Sequence, residues 1–301
     1  MKLAAIDIGS NAIRLQLVKV YDESDLVSFK KLEFLRFPLR LGQDVFSAGS
    51  ISDPVIDKFV KLMMTFKLFI ELYEVQDYYA VATSAMREAN NTLEVNQRIL
   101  SETGLKINVI TGETEAQILN KAIIPYLHEG NYVHIDVGGG STELNLITRE
   151  QLIHSQSFKV GSVRQLSPEK RSEVFSDIEK YIRSSQFYRS GNVIGIGTGG
   201  NINRLYSLAN KANNRTLSLA ELKALRAYVN EFTYEQRMSI LKMNPDRADV
   251  IIPASEIYIK VLKTMKSDQI LVPQVGLKDG LVYELYERTA LKKLNKIEYL
   301  G

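Results

Sequence analysis

Apolar residues along the first 125 positions fall into short β-branched runs and into longer stretches with helical spacing. The pattern predicts strands and helices in turn: strands near 2–8, 12–20, 26–37, 78–82 and 107–110, and helices near 53–73, 83–103 and 111–125. Residues 40–45 between them are predicted to form a loop. Because strands and helices alternate, we expect the α/β class with a mixed sheet.

The second part of the chain repeats this order of strands and helices. Three strands are predicted over 131–160, followed by helices over about 161–186 and most of 218–265, short strands near 193–198 and 269–272, and a closing helix over about 276–301. We therefore expect two domains, 1–125 and 126–301. The closing helix is able to pack back on the first domain.

Glycine-rich turns follow three of the apolar strands. The strongest is Asp136-Val137-Gly138-Gly139-Gly140-Ser141, a weaker copy is Asp7-Ile8-Gly9-Ser10-Asn11, and a third runs over Gly197-Thr198-Gly199-Gly200. Glycine can adopt positive φ and leaves the backbone open to a ligand. Successive amides in such a turn form a nest for an anion, and an aspartate at the strand end can hold a cation beside it.

A simpler interpretation applies to each turn taken alone, because Asp and Gly are the commonest turn formers. For Asp7 by itself we favour that interpretation. Three consecutive glycines after a buried strand are harder to explain, since flexible glycine costs conformational entropy. The two aspartate–glycine turns together therefore favour phosphate binding.

Composition narrows the function classes. The 301 residues include no cysteine and only three histidines, which argues against thiolate chemistry and histidine–metal clusters. No apolar run reaches the length of a membrane span, and the first residues enter a strand without signal-peptide architecture. The formal charge of +3 suits small anions without requiring nucleic acid. We expect a cytoplasmic protein with no membrane or nucleic-acid partner.

Six segments, in this order, resemble the motifs of the exopolyphosphatase / guanosine pentaphosphate phosphohydrolase (Ppx/GppA) family: 7–11, 83–89, 112–116, 136–143, 161–164 and 197–200. The resemblance implies a two-domain fold of the actin, Hsp70 and sugar-kinase type (ribonuclease H-like), with a phosphate-binding cleft between the domains. It implies Mg²⁺-dependent release of the terminal phosphate from polyphosphate or pppGpp. It also implies a homodimer and a short form without the C-terminal helical domain.

The resemblance also assigns roles to individual residues. Glu115 matches the acid that activates water, Asp136 and Glu143 would bind Mg²⁺, and Asp7 would be a weaker metal contact. The implied phosphate ligands are Gly9, Ser10, Asn11, Arg14, Arg87, Gly138, Gly139, Gly140, Ser141, Gly197 and Gly199.

Several positions keep a structural alternative. Without the resemblance, Glu115 reads as an acid favoured in the first turn of a helix. Arg14 could be a solvated strand residue, and Glu143 could pair with a lysine. The sequence departs from the family pattern at four positions: Ala12, Thr114, Asn201 and Lys278.

Two other function classes stay open at this stage. A kinase of the same superfamily would need an adenosine pocket, to which the Gly197 turn could belong, and an acceptor site. A non-catalytic sensor of polyphosphate or an alarmone would bind without turnover. The presence of Glu115, Asp136 and Glu143 together favours the hydrolase.

Overall fold

The computed structural model describes residues 1–23, 26–185, 188, 193–210, 215–291, 294 and 297–300. Among these residues the strands are β1 Lys2–Ile8, β2 Ile13–Glu23, β3 Leu26–Phe37, β4 Asp77–Ala82, β5 Ile107–Val109, β6 Asn131–Val137, β7 Thr142–Thr148, β8 Gln151–Phe158, β9 Val193–Thr198, β10 Thr216–Ser218, β11 Gln269–Leu271 and β12 Ile297–Leu300.

Helices surround these strands, and a short 3-10 turn covers Ile124–Tyr126. In the described part of the chain the α-helices are α1 Leu41–Ala48, α2 Asp53–Leu72, α3 Ser84–Glu88, α4 Thr92–Thr103, α5 Gly112–Ile123, α6 Pro168–Ser184, α7 Gly200–Leu208, α8 Leu219–Asn230, α9 Tyr234–Ser239, α10 Pro245–Ala248, α11 Ile251–Met265 and α12 Leu277–Ala290. None of these helices has the length and apolarity that a membrane crossing requires.

The chain divides into two compact units. The first unit comprises Met1–Pro125 and Gly276–Gly301, and the second comprises Tyr126–Val275. The sequence also suggested a boundary after residue 125, with a closing helix able to return to the first domain. In the structure α12 does pack on β1 and α5 of the first unit.

The first unit is built on a mixed sheet of order β12-β3-β2-β1-β4-β5. β1 pairs antiparallel with β2 and parallel with β4. Helix α2 buries the apolar stripe expected from its spacing, which includes Ile56, Phe59 and Met63. Helix α12 approaches α5 so closely that a Cβ at Gly280 would lie 2.1 Å from the carbonyl oxygen of Ile118.

The second unit repeats this design with sheet order β10-β11-β9-β6-β7-β8. β6 pairs antiparallel with β7 and parallel with β9, as β1 does with β2 and β4. The apolar face of α11 is buried in the core of this unit. The predicted α/β class with mixed sheets is confirmed. Because β6 and β9 run in parallel, the turns that follow them meet at one edge of the sheet.

Three details differ from the sequence prediction. Residues 40–45, predicted as a loop, contain the start of helix α1, and the predicted helix over 161–186 begins only at Pro168. The closing helix ends at Ala290 instead of continuing to 301, because Leu291 takes a left-handed conformation with φ 52°. The β-prone residues Ile297–Leu300 then form β12 beside β3; residues 292–293, 295–296 and 301 lie outside the described range.

Candidate active site

The triple-glycine turn connects β6 and β7 in the second unit, at the carboxyl end of β6. The amide of Gly138 donates to the carbonyl of Ser141 at 3.0 Å, which closes the turn. Among the described glycines, positive φ occurs only at Gly49, Gly104 and Gly199. The glycines of this turn therefore do not adopt the positive φ that the sequence suggested.

The segment Gly161–Arg164 lies over this turn and leaves no room for a side chain at Gly161. A Cβ at Gly161 would lie 2.4 Å from the carbonyl oxygen of Gly139. The amide of Ser162 donates to the carbonyl of Gly138 at 2.9 Å, and the amide of Val163 donates to that of Gly139 at 2.8 Å. Because they accept these bonds, the carbonyl groups of Gly138 and Gly139 face the 161–164 segment.

The backbone N–H groups of Gly139 and Gly140 in the turn are available to an acceptor outside the protein. In the described part of the chain, the amides of Gly139 and Gly140 donate to no other residue. Both glycines are buried, and an unpaired amide in such a position is costly unless a ligand or water accepts its proton. The two amides therefore suit an anion such as a phosphate oxygen.

Asp136 and Glu143 flank the turn as cross-strand partners in β6 and β7. One oxygen of Asp136 lies within 4.8 Å of an oxygen of Glu143. An all-oxygen donor pair of this kind matches the preference of Mg²⁺, so the residues present fit a hard divalent cation.

Hydroxyl groups hold both carboxylates in place. Thr198 Oγ1 donates to Asp136 Oδ1 at 2.8 Å. Ser141 Oγ and Ser157 Oγ donate to Glu143 Oε1 at 2.6 and 2.8 Å. Ser141, predicted to contact phosphate through the turn, thus also orients a metal-binding candidate.

The third glycine turn follows β9 and lies beside Asp136. Gly199 has φ 97°, which favours glycine, and a Cβ there would lie 3.4 Å from Asp136 Oδ1. Gly197 has a packing role instead, because a Cβ would lie 2.8 Å from Ile270 Cδ1. Only Gly199 of this predicted pair is thus placed next to the carboxylate site.

Sequence reasoning missed Arg247, which lies against the same turn. Its guanidinium occupies the space beside Gly200, where a Cβ would lie 2.2 Å from Nη2. Arg247 Nη1 also donates to Asn201 Oδ1 at 2.7 Å. The departure at Asn201 therefore has a structural partner in this chain. In the sequence, the glycine pair at 199–200 indicated that space is needed at this turn. No neighbouring residue indicated that the Arg247 side chain fills it.

In the first unit, the turn after β1 is bound to the segment that follows β4. Ser10 Oγ shares a hydrogen bond of 2.8 Å with Ser84 Oγ, and the amide of Thr83 donates to the carbonyl of Ile8 at 3.1 Å. The amide of Gly9 closes the turn on the carbonyl of Ala12 at 3.2 Å. The two predicted motifs at 7–11 and 83–89 are thus neighbours.

Asp7 and Arg14 form an ion pair across β1 and β2, with 2.7 Å between Asp7 Oδ2 and Arg14 Nη1. The sequence assigned Asp7 to metal and Arg14 to phosphate. The pairing supplies each with a partner of opposite charge, and Arg14 is therefore not the freely solvated strand residue of the alternative interpretation. It leaves Asp136 and Glu143 as the better supported metal candidates.

Glu115 lies in the first turn of α5, nearly buried, with Oε2 3.5 Å from Nη1 of Arg87. Arg87 Nη1 also donates to the carbonyl of Ile110 at 2.8 Å. Thr114, where the family pattern has an acid, shares a 3.0 Å hydrogen bond with the cap residue Thr111. The structure thus brings Glu115 and Arg87 together and ties the Thr114 side chain to the cap residue Thr111.

Lys278 also has a local partner. Its Nζ lies 2.7 Å from both oxygens of Asp279, and Asp279 accepts from the amide of Gly276 and from Gln16 Nε2. Ala12, the fourth departure, is buried with 1% of its surface exposed. Both residues are accommodated within the first unit.

A buried polar ladder lies below the carboxylates of the second unit, and sequence reasoning read its central residue, His134, only as part of a strand. His134 is fully buried and contacts Asn145 and Thr198. Burial lowers its pKa from 6.5 to about 3, so the ring is neutral at physiological pH. The available signal was polar residues at a spacing of two in β6, β7 and β8, next to Asp136 and Glu143.

Comparisons with known proteins bear on the family and the fold of the chain. The model of the Ppx/GppA phosphatase family matches residues 20–289. The chain is 26% identical over 295 residues to the bifunctional 3-dehydroquinate synthase/phosphatase of Fusobacterium nucleatum, covering 90% of this chain and 44% of that protein. It is 24% identical over 303 residues to exopolyphosphatase 1 of Mycobacterium leprae, covering 94% of this chain and 88% of that protein.

A solved structure shows the same fold. The crystal structure of the Aquifex aeolicus member of the Ppx/GppA family aligns with a TM-score of 0.74 at 25% identity, covering 96% of this chain and 98% of that one. The predicted two-domain actin-like architecture is therefore confirmed. The chain spans less than half of the Fusobacterium protein but most of the mycobacterial one.

Proposed function

Because the chain belongs to the Ppx/GppA phosphatase family, we propose that it is a Mg²⁺-dependent phosphohydrolase that releases the terminal phosphate from inorganic polyphosphate or pppGpp. The observation that carries the proposal is the pair of unengaged amides at Gly139 and Gly140 next to the Asp136–Glu143 carboxylate pair. One feature suits phosphate oxygens and the other suits the cation that accompanies them.

Substrate binding is assigned first to backbone groups. The amides of Gly139 and Gly140 would donate to oxygens of the terminal phosphates. Arg87 would supply positive charge in the first unit, where its bond to the Ile110 carbonyl fixes the guanidinium. Asp136 and Glu143 would hold Mg²⁺, which when bound neutralises phosphate charge.

Glu115 is assigned to the attacking water. Its carboxylate would accept a hydrogen bond from the water and take its proton as the water oxygen bonds to the terminal phosphorus. The bridging P–O bond then breaks, and its electrons leave with the shortened phosphate chain. Arg87 Nη1, 3.5 Å from Glu115 Oε2, would help to orient the carboxylate toward the water.

One set of assays separates this proposal from the kinase and sensor alternatives. Release of orthophosphate from polyphosphate, pppGpp and ATP is measured with Mg²⁺ and with excess EDTA, in the presence of candidate phosphate acceptors. We expect Mg²⁺-dependent release from polyphosphate or pppGpp. Transfer to an acceptor without free phosphate would support a kinase, and binding without turnover would support a sensor.

The remaining assignments concern assembly and location. The family resemblance favours a homodimer, and a cytoplasmic location stays the expectation drawn from composition. Size-exclusion chromatography with light scattering tests the first: we expect a mass of twice the 34.0 kDa of one chain.

A further inference from the structure

Two rows of polar side chains share one face of the sheet in the second unit. The row at the sheet edge contains Ser157, Glu143, Asp136 and Thr198, on four neighbouring strands. One step deeper, Ser155, Asn145 and His134 form a second row at the paired positions two residues away. The residues of the second row have no role in the mechanism proposed above. Burying it would be costly unless its polar atoms are satisfied.

Hydrogen bonds run through this deeper row in one consistent direction. Ser155 Oγ donates to Asn145 Oδ1 at 2.6 Å. The amide nitrogen of Asn145 lies 2.9 Å from His134 Nδ1, and His134 Nε2 lies 2.7 Å from Thr198 Oγ1. Thr198 Oγ1 in turn donates to Asp136 Oδ1 at 2.8 Å.

The direction of the hydrogen bond from Thr198 to Asp136 determines the donor and the acceptor in each of the other bonds. A hydroxyl has only one proton, and Thr198 uses it on Asp136, so Thr198 must accept from His134. His134 therefore carries its proton on Nε2, and its Nδ1 accepts from the amide nitrogen of Asn145. The Asn145 oxygen is left to accept from Ser155. No other assignment satisfies every atom of this chain of hydrogen bonds.

We propose that His134 is a positioning residue for Asp136. Its Nε2–H donates to Thr198 Oγ1, and the hydroxyl proton of Thr198 is therefore directed at Asp136 Oδ1. The carboxylate is then held in one rotamer before Mg²⁺ arrives. The inference rests on the proposed function in taking Asp136 as a metal ligand. Partners that orient a ligand in this way typically affect metal affinity or activity by about 10- to 100-fold.

Two substitutions at His134 separate positioning from simple core packing. The amide nitrogen of glutamine can take the place of Nε2, so His134→Gln keeps a donor toward Thr198. Asparagine is shorter and reaches the Nδ1 position, so His134→Asn keeps the contact with Asn145 but loses the donor. A third variant, Thr198→Val, preserves shape while removing the connecting hydroxyl.

The experiment measures Mn²⁺ binding to the full chain without substrate, by the EPR signal of free Mn²⁺, together with the Mg²⁺ dependence of kcat and the melting temperature. We expect His134→Asn and Thr198→Val to weaken Mn²⁺ binding by about 10- to 100-fold. Their combination should be little worse than either one, because both break the same connection. His134→Gln should bind Mn²⁺ almost as the wild type does.

Two results would overturn the positioning role. One is wild-type Mn²⁺ affinity in His134→Asn and Thr198→Val. The other is an equal loss in His134→Gln and His134→Asn that follows their melting temperatures. If His134→Asn does not fold, His134→Gln decides: a loss of Mn²⁺ affinity at an unchanged melting temperature would count against the positioning role, because this variant keeps the donor toward Thr198. A wild-type chain that binds Mn²⁺ but releases no phosphate would contradict the proposed function and leave this inference standing.

Discussion

Glu115 Oε2 lies 3.5 Å from Arg87 Nη1, within the first unit. The arginine keeps a second bond to the carbonyl of Ile110 whether or not the acid is charged. A neutral side chain of the same shape at 115 should therefore leave the local structure in place. This makes the position suitable for separating chemistry from folding.

Glu115→Gln should lower turnover by roughly 10²- to 10⁴-fold, the usual contribution of a general base. Substrate affinity and melting temperature should change little. Glu113→Gln is the matched control, since Glu113 is an exposed acid in the same helical turn. Near-wild-type turnover in Glu115→Gln would remove Glu115 from the catalytic role.

Asp136→Asn should raise the Mg²⁺ concentration needed for half-maximal rate more than Asp7→Asn does. Asp136 has Glu143 as a neighbouring carboxylate, whereas Asp7 is paired with Arg14. The measurement is a Mg²⁺ titration of the rate for both variants. A larger shift for Asp7→Asn would place the main metal site at the first turn instead.

Gly161→Ala tests the contact that closes over the triple-glycine turn. The new Cβ would lie 2.4 Å from the Gly139 carbonyl oxygen, so the backbone of one segment must move. We expect a loss of about 1–3 kcal/mol in the free energy of unfolding, as for other overpacked sites, and a raised KM. Gly276→Ala is the control, because no atom lies within 4 Å of its Cβ position. An unchanged KM in Gly161→Ala would separate this closure from phosphate binding.

His134 should make stability depend on pH below neutrality. Its pKa is lowered from 6.5 to about 3 in the folded protein, so the unfolded chain binds the extra proton first as pH falls. The free energy of unfolding should therefore decrease below pH 6.5, by at most about 1.4 kcal/mol per pH unit from this group.

Denaturant unfolding between pH 7.5 and pH 4.5 measures this effect as a difference between wild type and His134→Gln. As pH falls, the free energy of unfolding of the wild type should decrease relative to that of His134→Gln. His128→Gln, which removes an exposed histidine side chain, is the matched control variant. Parallel curves for wild type and His134→Gln would show that the buried ring does not contribute.

Local sequence patterns were sufficient for the strands other than β10 and β12, for the glycine turns and for the carboxylates at the strand ends. Strand periodicity and turn chemistry are local, so Asp136 and the turn after it could be located from sequence. Helix α1 was missed because its first turn is tied to a distant part of the chain: the amide of Gly42 donates to the carbonyl of Ser10 at 2.8 Å.

The roles of Gly161, Arg247 and His134 could not be read from the sequence for the same reason. Each depends on a partner far along the chain: Gly161 on Gly139, Arg247 on Gly200, and His134 on Thr198. Pairing of β6 with β7 and β9 brings Asn145 and Thr198 to His134, and only the sheet register determines which residues meet. Glu115 needed the family resemblance, because an acid is common in any first helical turn.

Hydrolysis of pppGpp in water enriched in ¹⁸O tests the central claim most directly, with mass analysis of both products. Attack of water on the terminal phosphorus predicts one ¹⁸O atom in the released orthophosphate and none in the remaining nucleotide. The reaction should require Mg²⁺ and be slowed strongly in Glu115→Gln. The same analysis of short polyphosphate covers the other proposed substrate. For both substrates, label in the remaining chain, or phosphate transferred to an acceptor without label, would contradict a terminal phosphohydrolase.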